Sequence, residues 1–222
     1  MKKFKVIIFL GPPGSGKGTQ AALLRKKIGY EYIGSGDLLR NRAKIKNYTG
    51  GKIKEVIDKG KRAPTPVIFK IWMDKLESFK NKKNLRGFVI DGSPRTVPEA
   101  EMLEQALEWY GWNKNKKVIF IDIPSKEIIN RLTKRKMCKK CGRIIPYFEK
   151  FRKLKKCDEC GGNLEKRVDD NLKGVKERLI WFKTDVLPVV AYYKKKNMII
   201  AINGEQSIEN VAGDILKSLD KK

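Results

Sequence analysis

A glycine-rich segment near the N-terminus carries residue types that bind phosphate. It reads Gly-Pro-Pro-Gly-Ser-Gly-Lys-Gly-Thr from Gly11 to Thr19, between the apolar run Val6–Leu10 and the amphipathic run Gln20–Ile28. A glycine-rich turn between a strand and a helix directs several backbone N–H groups at one point, where the helix dipole adds positive potential. Lys17 can reach the β- and γ-phosphates of a nucleotide, and the Thr19 hydroxyl can lie near Mg²⁺. The alternative is a tight strand–helix turn without a ligand.

Six arginines and one aspartate occupy positions that suit phosphate chemistry. Asp91 and Arg95 follow an apolar run directly, and open parallel sheets bind their ligands at the carboxyl ends of strands. The other arginines are Arg40, Arg131, Arg135, Arg167 and Arg178. Because Arg131 and Arg135 are four residues apart, we expect them on one helix face. The sequence contains no histidine, so charge placement by arginine, whose planar donors bind two oxygens at once, is the expected chemistry. The alternative for each arginine is an ordinary surface position.

The four cysteines form two C-x₂-C pairs, Cys138 with Cys141 and Cys157 with Cys160. Fifteen residues separate the pairs, which is the spacing of a structural zinc site with four thiolate ligands. A glycine follows each pair and allows a tight turn with positive φ. With no open coordination position, such a metal would stabilise a small subdomain rather than catalyse. Two disulfides, free thiols or another metal such as iron are the alternatives.

Short apolar runs alternate with helical patterns along the chain, which predicts an α/β fold with a parallel sheet covered by helices. The predicted strands are 5–10, 31–33, 87–90, 117–123 and 198–202. The predicted helices are 17–28, 37–45, 51–59, 66–80, 98–110, 126–135, 172–195 and 208–219. Pro188 falls inside the long late helix and should kink it. Two insertions interrupt the alternation, a helical one near residues 35–64 and a cysteine-containing one near 136–168.

The formal net charge of +26 raises the question of a nucleic-acid partner. The basic residues are spread along the whole chain without interleaved aromatic residues, so they predict solvated faces instead. No apolar run reaches 18 residues, which argues against a membrane span. The basic N-terminus could suggest a signal peptide, but the apolar run behind it is short and leads into the glycine-rich loop. We therefore expect a cytoplasmic location.

Together these motifs resemble the adenylate kinases of the zinc-lid type. The residues that carry the resemblance are 11–20, 35–40, 91–96, the four cysteines, 167–171 and 203–206. It implies a P-loop NTPase-type three-layer fold with a five-stranded parallel sheet. The core domain would comprise residues 1–34, 65–135 and 169–222, with an NMP-binding insertion at 35–64 and a zinc-binding lid at 136–168. The implied activity is reversible phosphoryl transfer from ATP to AMP, giving two ADP, by a monomer that uses Mg²⁺ and needs no nucleic acid or membrane.

The resemblance also implies residue roles. The ATP site would contain Gly14, Ser15, Gly16, Lys17, Gly18, Thr19, Arg131, Arg135 and Gln206. The AMP site would contain Ser35, Arg40, Ala63, Gly92, Arg95, Glu99, Arg167 and Arg178. The catalytic set would be Lys17, Asp91, Arg95, Arg131, Arg135, Arg167 and Arg178, with Asp37 behind Asp91. Asp169 and Asp170 would hinge and lock the lid.

Three positions depart from the pattern of the family. Ser93 replaces a bulky aromatic residue, Glu99 replaces a glutamine that reads the acceptor base, and Ile144-Ile145 replace Thr-Tyr. An ionised glutamate accepts hydrogen bonds but cannot donate one to adenine N1. A pyrimidine (CMP or UMP) nucleoside monophosphate kinase therefore remains an alternative. A more distant alternative is a nucleic-acid-binding ATPase with a zinc ribbon.

Overall fold

A computed structural model describes residues 4–59, 61–167 and 170–220. The strands of this part of the chain are β1 (Val6–Leu10), β2 (Glu31–Gly34), β3 (Phe88–Asp91), β4 (Lys116–Asp122), β5 (Lys136–Cys138), β6 (Ile144–Ile145), β7 (Leu164–Lys166) and β8 (Ile199–Asn203). The helices there are α1 (Lys17–Ile28), α2 (Ser35–Ala43), α3 (Tyr48–Asp58), α4 (Thr65–Lys80), α5 (Val97–Trp109), α6 (Ser125–Lys134), α7 (Leu172–Trp181), α8 (Leu187–Lys195) and α9 (Ile208–Asp220).

Among the described residues, five strands form a parallel sheet in the order β2-β3-β1-β4-β8. All five residues of the central strand β1 are buried, as expected of a parallel strand covered on both faces. Side chains of β1 point alternately into two apolar clusters. Ile8 belongs to the cluster that contains Trp72 and Leu103, and Phe9 belongs to the cluster that contains Ile215. The predicted α/β fold with a five-stranded parallel sheet is confirmed.

Local sequence signals account for several helix boundaries. The Thr96 hydroxyl accepts a hydrogen bond from the backbone N–H of Glu99, and Pro98 lies in the first turn of α5, where a missing N–H is harmless. The Ser207 hydroxyl likewise accepts from the backbone N–H of Asn210 and so caps α9. Asn47 caps α3 by accepting from Gly50, so this helix begins at Tyr48, three residues before the predicted start.

The single long helix predicted over residues 172–195 is interrupted in the structure. A π-helical segment, Phe182–Val186, separates α7 from α8. Pro188 lies in the first turn of α8, and it has no N–H to donate to the preceding turn. The wider π turn accommodates this missing hydrogen bond without ending the helix. The predicted disturbance is therefore real, but it takes the form of a π segment ahead of the proline.

The two insertions have different architectures. Helices α2 and α3 occupy the insertion near residues 35–64, whereas β5, β6 and β7 form a small antiparallel sheet in the cysteine-containing segment. We call these the acceptor insertion and the lid. Throughout the described ranges, helices are too short or too polar to cross a membrane.

Candidate active site

The glycine-rich loop connects the end of the central strand β1 to the start of α1. Gly14 and Gly16 adopt positive φ angles of 82° and 94°, a conformation that favours glycine. The ammonium of Lys17, the first residue of α1, donates to the carbonyls of Gly11 and Pro12 at 2.8 and 2.7 Å. Lys17 thus lies across its own loop. Burial lowers its pKa to about 8, although Asp91 acts in the opposite direction.

The position of Asp91 explains the glycine at position 18. A Cβ atom added to Gly18 would lie 3.2 Å from the carboxylate Oδ2 of Asp91, closer than ordinary van der Waals contact. The same oxygen accepts a hydrogen bond from the Tyr32 hydroxyl at 3.0 Å. Burial raises the pKa of Asp91, and the charge of Lys17 opposes that shift. The site therefore contains an aspartate held by Tyr32, a residue that the sequence analysis missed because it lies on another strand.

Asp170 joins two of the predicted arginines. Its carboxylate accepts from the guanidinium groups of Arg135 and Arg178, with Nη2–Oδ1 distances of 2.9 and 2.5 Å. The Asp170 side chain is only 2% exposed, so this paired carboxylate is almost fully removed from water. Asp170, one of the two residues predicted to hinge and lock the lid, therefore connects Arg135, next to the lid, to Arg178 on α7. Asp169, the predicted hinge, lies outside the described residues.

Arg131 and Arg135 lie one turn apart at the C-terminal end of α6, as predicted. Helix α6 ends at Lys134, but the backbone N–H of Arg135 still donates to the Arg131 carbonyl at 3.1 Å, and its φ of −68° is helical. The chain leaves the helix only after Arg135, whose ψ is 155°. The two guanidinium groups have different partners. Arg131 donates to Glu127 at 2.7 Å and to the Gly204 carbonyl at 3.0 Å, whereas the Asp170 carboxylate orients Arg135.

The basic residues converge on the loop. The charges acting on Lys17 include those of Asp91, Arg95, Arg135 and Arg178. Burial lowers the pKa of Arg135, and the charge of Arg167 lowers it further. Burial also lowers the pKa of Arg95. Buried cations that depress one another's pKa values favour a polyanionic ligand, because its charge would relieve both the burial cost and the repulsion.

The acceptor insertion joins the core through two buried hydroxyls. Ser35, the first residue of α2, and Ser93, which follows β3, share a hydrogen bond between their Oγ atoms. The serine at the family's aromatic position therefore has a polar partner. Arg40 is largely exposed and pairs with Asp37 at 2.5 Å.

Glu99 has a local partner within the acceptor side of the site. Its carboxylate accepts from the backbone N–H of Arg95 at 2.7 Å, while its own N–H is capped by Thr96. This arrangement is close to the reciprocal capping box of helix N-termini. Glu99 is 8% exposed and its charge acts on Arg95, in the loop that also contains Gly92. One carboxylate oxygen thus has a structural role whether or not Glu99 contacts a base.

Gln206 lies beyond the carboxyl end of β8. Its side-chain amide donates to the Asn203 carbonyl and to Asp214, at 3.1 and 2.9 Å. A cavity of about 380 Å³ lies beside it, lined by residues of the β4 and β8 ends including Asp122 and Glu205. The Arg131 guanidinium, which donates to the Gly204 carbonyl, lies 4.8 Å from the centroid of the Phe148 ring in the lid. The chain turn after β8 is therefore in contact with Arg131, and through Arg131 with an aromatic ring of the lid.

The four cysteines of the lid form one cluster. Their sulfur atoms all lie within 4.8 Å of one another, with 3.4 Å between Cys138 and Cys160 and 3.7 Å between Cys141 and Cys157. A disulfide bond is about 2.05 Å long, whereas a tetrahedral Zn²⁺ with ~2.3 Å bonds separates its sulfur ligands by about 3.8 Å. Gly142 and Gly161 have positive φ angles of 74° and 68°, as predicted. A hydrogen bond from the Cys141 backbone lowers the pKa of Cys138 and favours its thiolate, whereas the pKa of Cys141, against the opposing Arg143 backbone, is raised by its neighbouring thiols. The cluster fits zinc.

A phosphate loop on the central parallel strand, with converging arginines and two insertions, defines a P-loop phosphotransferase. The family model for adenylate kinase matches residues 9–198. The chain is 38% identical to an adenylate kinase of Caldicellulosiruptor bescii, over 96% of this chain and 98% of the relative. Adenylate kinases of Methanocella arvoryzae and Archaeoglobus fulgidus are 39% and 37% identical, over 96% and 97% of this chain and 98% of each relative. The chain belongs to the adenylate kinase family.

Proposed function

We propose that this chain transfers the γ-phosphoryl group of ATP to AMP, giving two ADP, with the residue roles described below. Phosphoryl transfer needs in-line positioning and positive charge on the transferring oxygens rather than covalent chemistry from the protein. The observation that carries the proposal is the convergence of Arg95, Arg135 and Arg178 on the buried ammonium of Lys17. No histidine is required for this chemistry, and the sequence contains none.

On the donor side, the backbone of Gly14–Thr19 and the Lys17 ammonium would bind the ATP phosphates. Among the described residues, the Lys17 ammonium donates to two carbonyls of its own loop and to the Ser15 hydroxyl, so exchanging these acceptors for phosphate oxygens needs little rearrangement. Arg131 and Gln206 would contact the adenosine of ATP, because they flank the turn at Gly204. Adenylate kinases use Mg²⁺ with ATP, and Asp91, with Asp37 nearby, would order its water ligands.

On the acceptor side, the AMP phosphate would be bound by Arg95 together with Arg40, Arg167 and Arg178. Ser35, Ala63, Gly92 and Glu99 would surround the nucleoside. Arg135 would connect the donor side to the acceptor side, because Asp170 holds it beside Arg178. Closure of the lid and the acceptor insertion would exclude water, which otherwise would hydrolyse ATP.

We also propose that Cys138, Cys141, Cys157 and Cys160 bind one structural Zn²⁺. When bound, the metal would supply folding free energy to the lid, which is too small to be stable through its own core. A monomeric, cytoplasmic enzyme without nucleic-acid or membrane partners is part of the same proposal. The dispersed basic residues support it, since a nucleic-acid site would concentrate them on one face.

A coupled assay that supplies AMP, CMP, UMP or single-stranded DNA beside MgATP tests the proposed reaction. We expect AMP to be the fastest acceptor, which agrees with the names of the relatives. Faster turnover of CMP or UMP at equal concentration would instead establish the pyrimidine alternative. Stimulation of ATP hydrolysis by DNA would establish the nucleic-acid alternative.

A further inference from the structure

Arg62 connects the acceptor insertion to a distant helix. It lies directly before Ala63, at the end of the insertion. Its guanidinium forms an ion pair with Asp185, which is 123 residues away in sequence. The same guanidinium lies 5.3 Å from the ring centroid of Trp181. Arginine suits this position because it can donate to a carboxylate and stack on an aromatic face at the same time.

The Arg62–Asp185 pair lies in a setting that strengthens it. The two side chains are 32% and 23% exposed, so water screens their attraction less than that of a surface pair. Asp185 belongs to the π-helical segment Phe182–Val186, and Trp181 is the last residue of α7 before it. π segments within helices are frequent at functional sites. The π-helical segment and the residue before it thus place a carboxylate and an aromatic ring beside the end of the acceptor insertion.

The helix that holds Asp185 also carries part of the active site. Arg178 lies on α7 and bonds to Asp170, and its charge reaches both Lys17 and Arg95. Arg62 itself lies close enough to Arg95 for its charge to lower the pKa of that group, after burial and the opposing charge of Glu99. The pair therefore connects the end of the acceptor insertion to the helix that supplies Arg178.

We propose that Arg62 is a positioning residue for the acceptor, which acts by holding the end of the acceptor insertion against Asp185 and Trp181. The contact sets the distance between the insertion, with Ala63 beside the acceptor nucleoside, and the helix that carries Arg178. The inference rests on the proposed function, because it assigns the insertion to AMP. It predicts that breaking the pair weakens AMP binding and leaves ATP binding unchanged.

A double-mutant cycle with Arg62→Gln and Asp185→Asn tests this role through the KM values of both substrates. We expect each single change to raise the KM for AMP about three- to tenfold, with the KM for ATP and kcat within about twofold of the parent. The double variant should be no worse than the single variants, because one contact is lost in all three. Glu31→Gln, which breaks a comparable ion pair with Lys82 outside the insertion, is the matched control and should leave both KM values unchanged.

Opposite effects of the two single changes would overturn the proposal. If Arg62 acted only through its charge on the acceptor phosphate, Asp185→Asn would lower the KM for AMP while Arg62→Gln raised it. Lower melting temperatures with unchanged KM values would reduce the pair to a structural contact and also overturn the proposal. If the parent enzyme prefers CMP or UMP, the proposed acceptor is wrong, and the cycle is then measured with the preferred acceptor.

Discussion

The acceptor insertion and the lid are stabilised in different ways. Leu38 and Leu39 of the acceptor insertion pack against the main apolar cluster of the core, and Ile53 of α3 is buried. Within the described part of the lid, the buried apolar side chains are Ile145 and two of the cysteines, and none of them belongs to a core cluster. The acceptor insertion therefore shares the stability of the core. The stability of the lid depends on its own small sheet and on the ligand of the four sulfur atoms.

Because the two insertions are stabilised differently, each should lose its structure and function independently of the other. Loss of the metal should disturb the lid and the ATP side, because the lid is attached near Arg131 and Arg135. Substitutions at the base of the acceptor insertion should affect the binding of AMP. Substitutions on the glycine-rich loop should change the kinetics with both substrates.

Lys17 should show the largest effect, because its buried ammonium would contact the transferred phosphoryl group itself. We expect Lys17→Met to lower kcat by on the order of 10² or more, since removing one charge stabiliser from a phosphoryl transfer typically has this cost. The fold should persist, because the ammonium contacts loop carbonyls rather than the apolar core. Steady-state kinetics and circular dichroism measure the two expectations. Turnover within about tenfold of the parent would remove Lys17 from the mechanism.

Metal removal should affect the lid and, through it, ATP binding more than AMP binding. Elemental analysis of protein purified without chelator should find one zinc per chain, and chelation should lower the thermal stability, because the binding energy there is folding energy. The KM for ATP should rise more than the KM for AMP. Cys157→Ser is the matched variant, on which a chelator should have little further effect. Protein without metal, or two disulfides found by mass, would contradict the zinc assignment.

The pH dependence of ATP binding should reflect the protonation state of Lys17. Its free-enzyme pKa is lowered to about 8, chiefly by burial, and phosphate oxygens require the protonated ammonium. The affinity for ATP should therefore be complete below pH 8 and should fall as the pH rises, by up to about tenfold per pH unit. The pH profile of kcat/KM for ATP measures this, because it reports groups of the free enzyme.

The Lys17→Arg variant is the control for that profile, since a guanidinium does not lose its proton in this range. Its activity should be lower but flat between pH 7 and 10. A parent profile without a decline before pH 10 would show that burial does not depress the lysine in solution.

Glu99→Gln should show the smallest effect and act on the acceptor side only. Glutamine keeps an oxygen for the backbone N–H of Arg95 and adds a donor for adenine N1. One neutral hydrogen bond contributes about 1 kcal/mol, so the KM for AMP should fall up to about fivefold and the KM for ATP should not change. Acceptor kinetics beside a thermal melt measure this effect. An unchanged KM for every acceptor would mean that Glu99 only caps α5.

Some of the site could be predicted because its signals are local. The glycine-rich loop needs glycines at fixed offsets between a strand and a helix, and Gly14 and Gly16 have the expected positive φ angles. The cysteine cluster similarly depends on spacing within one short segment, and the four sulfur atoms do come together. The alternation of strand and helix patterns predicted the parallel sheet, because buried parallel strands are continuously apolar.

Other parts could not be predicted, because the contacts join residues distant in sequence. Helical spacing correctly places Arg131 and Arg135 one turn apart, but it does not predict that α6 ends at Lys134 or that Asp170 holds the Arg135 guanidinium. Pro188 predicted a disturbance of the late helix but not a π segment that presents Asp185 to Arg62. In both cases the backbone conformation depends on tertiary surroundings that local propensity does not contain.

The α/β class, the phosphate loop and the four-cysteine cluster could be predicted from short sequence patterns, because each pattern has its own physical requirement. Which charges meet depends on the tertiary structure. It placed Asp91 against Gly18 and Tyr32, and it joined Arg135 to Arg178 through Asp170. The cause is that a charge interaction depends on distance and burial in space, and neither quantity can be read from the spacing of residues along the chain.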